Sequence, residues 1–363
     1  MEEFVLPEYP FGSDIWKKLQ SESKPIVVYG MGNGADKLIA QLEKHGVTVS
    51  DFFASDGFVR GHSFHSKRVL SFSEIKEKYD DFIILVSFAS KLPDVIKRIY
   101  EMAEQNELYV PDMPVVDETF FTSDFYNEHY REIVNAYNLL EDNYSKKLFS
   151  SVIWYKLTAD IKYLTDCFSK EECYSLLKAE DYHTVVDAGA YNGDTAREFA
   201  ERFPNLEKIY AIEPDPKNCQ KLKKYAESAE SDIEVIGAAL WNKGGEIDFS
   251  SSKNRNSSLS NASYQHKMVK VDLCRLDDVV SERIDYIKYD VEGAEREALE
   301  GSTETINAYS PDLLISLYHK SEDIFSLICY IADNFKGYKL YLRRLFCLPA
   351  WELNLYAIKD NKS

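Results

Sequence analysis

The sequence predicts an α/β protein: a large doubly wound sheet closed by an antiparallel strand pair, preceded by a smaller Rossmann-like α/β domain and a helical connector. Three observations carry this. Short apolar runs ending in glycine turns alternate with segments of helical spacing at both ends of the 363 residues. Between about 118 and 180 the alternation stops. In the second half, an apolar run leads into VVDAGAYNGDT at 185–195, and the next ends on an acid in YAIEPDP at 210–216. The expected division is 1–117, 118–180 and 181–363.

The first unit opens at KPIVVYGMGNGADKLIAQLEKHG, 24–46. Ile26 to Tyr29 reads as a buried strand, Gly30, Gly32 and Gly34 as the turn, and Ala35 to Lys44 as a helix. Further strands are expected at 47–53 and 82–88. The glycine run departs from a dinucleotide fingerprint because its last glycine is misplaced by one. Asp51 near the end of the second strand could hold a ribose, so a nucleotide or nucleotide-sugar and a plain tight turn in a structural or acceptor-docking domain both stay open. Arg60, His62 and His65 fall in a polar loop, where Gly61 and the serines argue against the helix that a His-x-x-His metal pair needs. Residues 125–168 have apolar and aromatic residues at three- and four-residue steps with no Pro or Gly, which predicts two or three amphipathic helices able to roof a site.

Strands of the second unit are expected near 184–188, 208–213, 233–237, 284–290 and 311–318, with a hairpin-like excursion at 246–272 and a closing pair at 338–345 and 351–359. The loop after its first strand is suited to an adenosyl ligand. Gly189 and Gly193 let the backbone approach closely, the helix at Asp194-Thr195 offers free N–H groups, and Glu213, 24 residues after Gly189, can accept from both ribose hydroxyls. GxGxxG is absent, and an acid at the helix start would repel a pyrophosphate. Carboxylates there suit a cationic ligand such as S-adenosylmethionine; the alternative is a tight turn with Asp194 as an N-cap. The expected cofactor set is Asp187, Gly189, Ala190, Tyr191, Asn192, Gly193, Asp194, Thr195, Glu213, Pro214 and Asp215, with Ala239 and Leu240 beyond the third strand.

VVDAGAYNGDT, IEPDP, VKVDLCRLDD (269–278), IKYDVEGAE (287–295) and ISLYHKSEDIF (315–325), in that order, resemble the FkbM-type family of S-adenosylmethionine-dependent methyltransferases over about residues 180–360. The resemblance implies a class I methyltransferase-type Rossmann sheet and O-methyl transfer, with sugar or polyketide hydroxyls as usual acceptors. The acceptor itself, a small molecule or saccharide, is not encoded in these motifs. A nucleotide-dependent oxidoreductase or epimerase using the N-terminal glycines, or a binding protein that retains the cofactor fold, are the alternatives.

Ligands of open α/β sheets bind at the carboxyl ends of the strands, where Asp290 and Glu292 stand after the fourth strand and His319 after the fifth. One acid could orient the reacting groups while the other takes a proton; otherwise Asp290 is an N-cap and Glu292 a first-turn acid of a helix opening at Gly293. His319 reads as a neutral imidazole, either a base with a rate limb near pH 6–7 or a positioning group, or else as a helix-start residue bonded to Glu322. No compact set of acids and histidines at ligand spacing is visible, so no metal is expected. The Ser- and Asn-rich stretch 251–266 reads as a mobile loop, closing over an acceptor or merely exposed.

A net charge of −18 argues against nucleic acid and anionic membranes, whose phosphates demand clustered Lys and Arg. No apolar run approaches the roughly 20 residues of a membrane span, and the N-terminus lacks signal-peptide features. Six scattered cysteines form no ligand pattern, Cys167 and Cys173 included, and fit reduced thiols in the cytoplasm. Nothing in the sequence sets an oligomeric state.

Overall fold

A computed structural model describes Leu6, residues 14–55, Val59, and residues 61–165, 167–168, 170–251 and 267–360. Arg60 and the stretch 252–266 lie outside the described residues, as does what the sequence suggests for them.

The N-terminal strands are β1 (Ile26–Tyr29), β2 (Asp51–Ala54), a two-residue hairpin β3 (Ser63–Phe64) and β4 (Lys67–Arg68), β5 (Leu70–Ser71), β6 (Ile83–Val86) and β7 (Glu107–Tyr109). Five of them form a sheet in the order β5-β2-β1-β6-β7, all parallel. β1, β2 and β6 are buried throughout, β1 and β6 as unbroken apolar runs and β2 with Asp51 as its one polar residue. The second strand starts four residues later than 47–53 suggests, so Asp51 opens β2 at the edge opposite the glycine loop. Its carboxylate is taken by Lys78 at 2.7 Å and by the Tyr79 hydroxyl at 2.5 Å. Asp51 therefore holds no ribose at that loop. The His62–His65 segment is no helix either, and His65 Nε2 faces Asp36 at 2.7 Å.

Helices fill the connector at Ser123–Glu128, Tyr130–Leu139 and Asn143–Thr158. The last is not amphipathic: 10 of its 16 residues are buried, including Ser150, Ser151 and Lys156, the last paired with Asp112. It lies inside the molecule. One apolar core runs from Val27, Phe53 and Ile84 of the first sheet, through Phe149 and Ile153 of this helix, to Ile287, Leu313 and Leu355 of the second sheet.

The second sheet contains β8 (Thr184–Ala188), β9 (Lys208–Ile212), β10 (Asp232–Ile236), β14 (Tyr286–Tyr289), β15 (Asp312–Ser316), β16 (Tyr338–Arg344) and β17 (Leu353–Lys359). Between β10 and β14 stands a three-stranded ribbon of β11 (Ala239–Leu240), β12 (Gly245–Ser251) and β13 (Lys267–Cys274), with β12 and β13 antiparallel as the excursion suggests. The seven strands run β10-β9-β8-β14-β15-β17-β16. All pairs are parallel except those of β17, which runs antiparallel to both neighbours. Strand order reverses at β8, so the β8 and β14 loops flank a crevice. No helix among the described residues is long and apolar enough to cross a membrane.

Candidate active site

A cavity of about 610 Å³ opens at this switch point. Gly189 fits there because a Cβ would lie 1.9 Å from the Asp290 carbonyl oxygen, so no other residue lets β8 and β14 end side by side. Gly193, at φ +85°, is the N-cap of the helix Asp194–Arg202. Asp194 is thus the first helical residue and not a cap; it lines the cavity with Tyr191 and Thr195.

Glu213 follows β9 into the same space and is 6% exposed. Its two oxygens accept from Tyr191 N (2.9 Å) and Asp215 N (2.8 Å), which fixes the carboxyl against the loop. Burial pushes it up to about 7, against those two donors, because no cation stands beside it. Asp215 is instead the N-cap of the helix Pro216–Ala226. Pro214, Ala239 and Leu240 line the cavity too, while Ala190 is buried in the core between β8 and that helical layer. Asp187 and Asn192 are not on the cavity wall, yet each has a buried oxygen without a partner among the described residues.

Asp290 and Glu292 enter the cavity from the end of β14. Neither belongs to the next helix, which starts later, at Glu295 with Ala294 as its N-cap. Lys288, two residues before Asp290 and on the same face of β14, sits 3.3 Å from Asp187 and 3.6 Å from Asp290. Burial would raise Asp290, but Lys288 and His319, with hydroxyls of Ser316 (2.9 Å) and Tyr318 (3.0 Å), outweigh it and hold the carboxyl at about 2. Glu292 stands at φ +54°, a left-handed position that costs a non-glycine residue about 1–2 kcal/mol, and its loop turns the carboxyl toward the cavity. Burial pushes Glu292 up to about 8.

His319 is fully buried among Glu295, Asp290 and Glu292, with Nδ1 at 2.9 Å from the first and Nε2 at 3.6 Å from each of the others. Burial would lower its pKa, but the three carboxylates lift it to about 10. The ring is therefore charged near neutral pH and is not the neutral base the sequence suggests; nor is Glu322 its partner. Glu295, Lys288, Ser316 and Tyr318 escaped the sequence reading. For Lys288 a signal existed, a lysine at an inward position of a buried strand.

The outer wall comes from the N-terminal half. Ala89, Ser90 and Lys91, after β6, and Val115 line the cavity. Ser90 and Leu348 exchange backbone hydrogen bonds, Val115 N donates to His319 O at 3.2 Å, and Lys91 pairs with Glu352. The segment around Val115 closes over the end of β14, and from the connector Tyr174 and Leu177 also line the cavity.

Counted from β8, the strand order is 3-2-1-4-5-7-6 with an antiparallel seventh strand. Together with an acid-ended second strand and a glycine loop at the switch point, this defines the class: the fold of S-adenosylmethionine-dependent methyltransferases. Residues 187–342 match the family described as the methyltransferase FkbM domain. The fold extends further. A crystal structure of methyltransferase FkbM from Methylobacillus flagellatus KT superposes with a TM-score of 0.70 at 19% identity, over 95% of this chain and 90% of that one. Its N-terminal sheet and connector are thus shared. Two others cover about half of this chain: an rRNA methylase from Streptococcus thermophilus (17% identity, 51% of this chain, 90% of that chain, TM-score 0.34) and a fibrillarin from Aeropyrum pernix with natively bound S-adenosyl-L-methionine (13%, 50%, 69%, 0.33). No curated protein matches the chain.

Proposed function

We propose that this protein transfers a methyl group from S-adenosylmethionine to a hydroxyl oxygen of a small molecule, a saccharide foremost, in a reducing cytoplasm. The observation that carries the reading is Glu213: a carboxyl anchored by two backbone N–H groups, pushed up by burial, on the wall of the switch-point cavity. A ribose diol bound in the cavity would donate to it. The acids around the cavity fit a cation. Bound there, S-adenosylmethionine supplies the methyl group.

The acceptor takes the other arm of the cavity, beneath the N-terminal wall. Trp351, Tyr318 and Tyr356 offer aromatic faces there, and Ser316 and Asn354 polar groups, a mixture suited to a sugar ring. Asp290, kept ionised by Lys288, orients the acceptor hydroxyl, and Glu292 is the carboxyl beside it whose proton affinity is matched to neutral pH. Six cysteines, none of them in a disulfide, support the reducing setting.

Calorimetry on the full chain with S-adenosylmethionine, followed by labelled methyl transfer onto a panel of saccharides, tests this. One cofactor per chain is expected, bound more weakly by Glu213→Gln. Absence of binding, or a Glu213→Gln variant that binds as the wild type does, overturns the placement.

A further inference from the structure

The face of the second sheet that packs toward the helix Asp194–Arg202 changes from polar to apolar along its strands. Register sets Lys288 beside Leu314 and Leu314 beside Tyr356, with Ser316 beside Asn354 one row nearer the reaction edge. Side chains alternate along a strand, so Tyr286, Lys288 and Asp290 share this face. Its outermost row, Asp290, Ser316 and Asn354, is polar. Leu314 and Tyr356 lie one row down, and Tyr286 a further row down, about 13 Å from Asp290 at about 3.3 Å per residue. All of them line the one cavity, and Phe199 and Phe203 line it from the facing helix. Phe203 and Tyr286, packed edge to face with ring centroids 5.7 Å apart, close the bottom.

The cover over this slot is short. Cys173 of the six-residue helix Lys170–Ser175 and Leu177 of the turn after it pack with Tyr356 and Leu314. Leu177, Leu314 and Leu345 are left half-buried, each on the cavity wall. The charged groups along the slot are spent on one another. Arg202 Nε donates to Glu198 at 2.9 Å, the Tyr174 hydroxyl donates to the same carboxylate at 2.6 Å, and the guanidinium lies 3.4 Å over the Tyr174 ring. Lys288 turns its ammonium to Asp187 and Asp290 and leaves its methylenes to the slot.

We propose that the methyl acceptor carries an alkyl tail, which lies in this slot between Leu177, Leu314, Leu345 and Tyr356 while its hydroxyl-bearing head stays at Asp290. A bare saccharide fills the polar row and leaves the rows beneath it against water. An amphipathic molecule matches both, because the apolar slot is continuous with the polar edge inside one cavity. The aromatic rings at the bottom are already packed on each other, so the surface left open is leucine, which suits a flexible chain better than a second ring system. This deepens the methyl-transfer reading and rests on it for the transfer step alone; the tail binds without cofactor or turnover.

Calorimetry on the full chain without cofactor tests it, with methyl, hexyl and octyl β-glucoside below their micelle concentrations. One octyl β-glucoside per chain is expected, bound about 10-fold tighter than the hexyl compound, at about threefold to fourfold per methylene, and with a negative heat-capacity change; the methyl compound should bind more than about 100-fold weaker than the octyl. Leu177→Trp, in the turn, fills the slot and should weaken octyl β-glucoside about 10-fold or more. If that variant has lost its melting transition, Leu345→Trp, just beyond β16, decides. Affinity independent of chain length, a folded tryptophan variant that binds as the wild type does, or octanoate bound as tightly as octyl β-glucoside each overturns the proposal. Should S-adenosylmethionine bind while octyl β-glucoside does not, the tail falls and the methyl-transfer reading stands; should octyl β-glucoside bind and the cofactor not, that reading falls and the alkyl slot alone is upheld.

Discussion

The two sheets begin alike and end differently. Each first strand runs into glycines with positive φ and then a helix, at Gly30 and Gly32 in one and at Gly189 and Gly193 in the other. What separates them is the fate of the acid on the second strand. Asp51 sits at the opening edge of β2, neutralised by Lys78 and Tyr79, and Ser55, which follows the strand, spends its hydroxyl on Tyr29. Glu213 leaves the closing edge of β9, is held by the backbone N–H groups of Tyr191 and Asp215 with the Asn218 side chain beside it, and faces a cavity. Glycines of this kind specify a turn; an acid at the right edge with no cation beside it is what sets the proposed ligand site apart.

The most damaging way to probe this difference is Gly189→Ala. Its Cβ would collide with the Asp290 carbonyl at 1.9 Å on a backbone of φ +88°, so a loss of about 3 kcal/mol or more in denaturant unfolding is expected. Gly32→Ala meets nothing within 4 Å and should cost about 1–2 kcal/mol, for its φ alone. Next in size, Glu213→Gln should weaken S-adenosylmethionine by about 1.5–3 kcal/mol, roughly 10- to 100-fold, as calorimetry would read it. Asp51→Asn should leave that affinity untouched; if it does not, the two loops are not distinguished as described here.

A pH series sharpens the contrast. With Glu213 at about 7 in the free protein and the ionised form the better acceptor for a diol, cofactor affinity should fall as pH drops through 7, by about 10-fold between pH 8 and pH 6. Binding near pH 7 should release a proton, visible as a dependence of the calorimetric heat on buffer ionisation. Both effects should vanish in Glu213→Gln. Smallest of all, Lys91→Ala removes a half-exposed partner of Glu352 and should shift stability by no more than about 0.5 kcal/mol, while raising the KM for an acceptor that passes beneath Ser90 and Lys91.

Much of the architecture was legible because buried parallel strands are continuous apolar runs. Ile26–Tyr29 and Thr184–Ala188 match their predicted bounds, and the antiparallel β16 and β17 were visible as a closing pair. Where polar residues are internal, the pattern misleads. Asn143–Thr158 shows serines and lysines at helical intervals, yet Ser145, Ser150, Ser151 and Lys156 are buried, Ser145 serving Leu342 N and Arg343. Asp51 read as the end of a strand because VTVSDFF is apolar on both sides of it. At the candidate site, Glu213, Asp290 and Glu292 follow from the rule that ligands meet the carboxyl ends of strands. The charge on His319 does not, since it depends on Glu295, 24 positions away and brought close only by the packing of β14 beside β15.

The apolar core that passes through the Asn143–Thr158 helix has a bearing on how this molecule comes apart. Neither sheet can shed the helix without baring a face of the other, so the halves have little scope to melt separately. A protease cut near Val115 would leave two fragments still clasped by that shared interior, and a chain begun at residue 181 would expose the apolar side of β14 and β15 to water. Cooperativity, more than ligand contact, is then what ties the first hundred residues to the chemistry of the last two hundred.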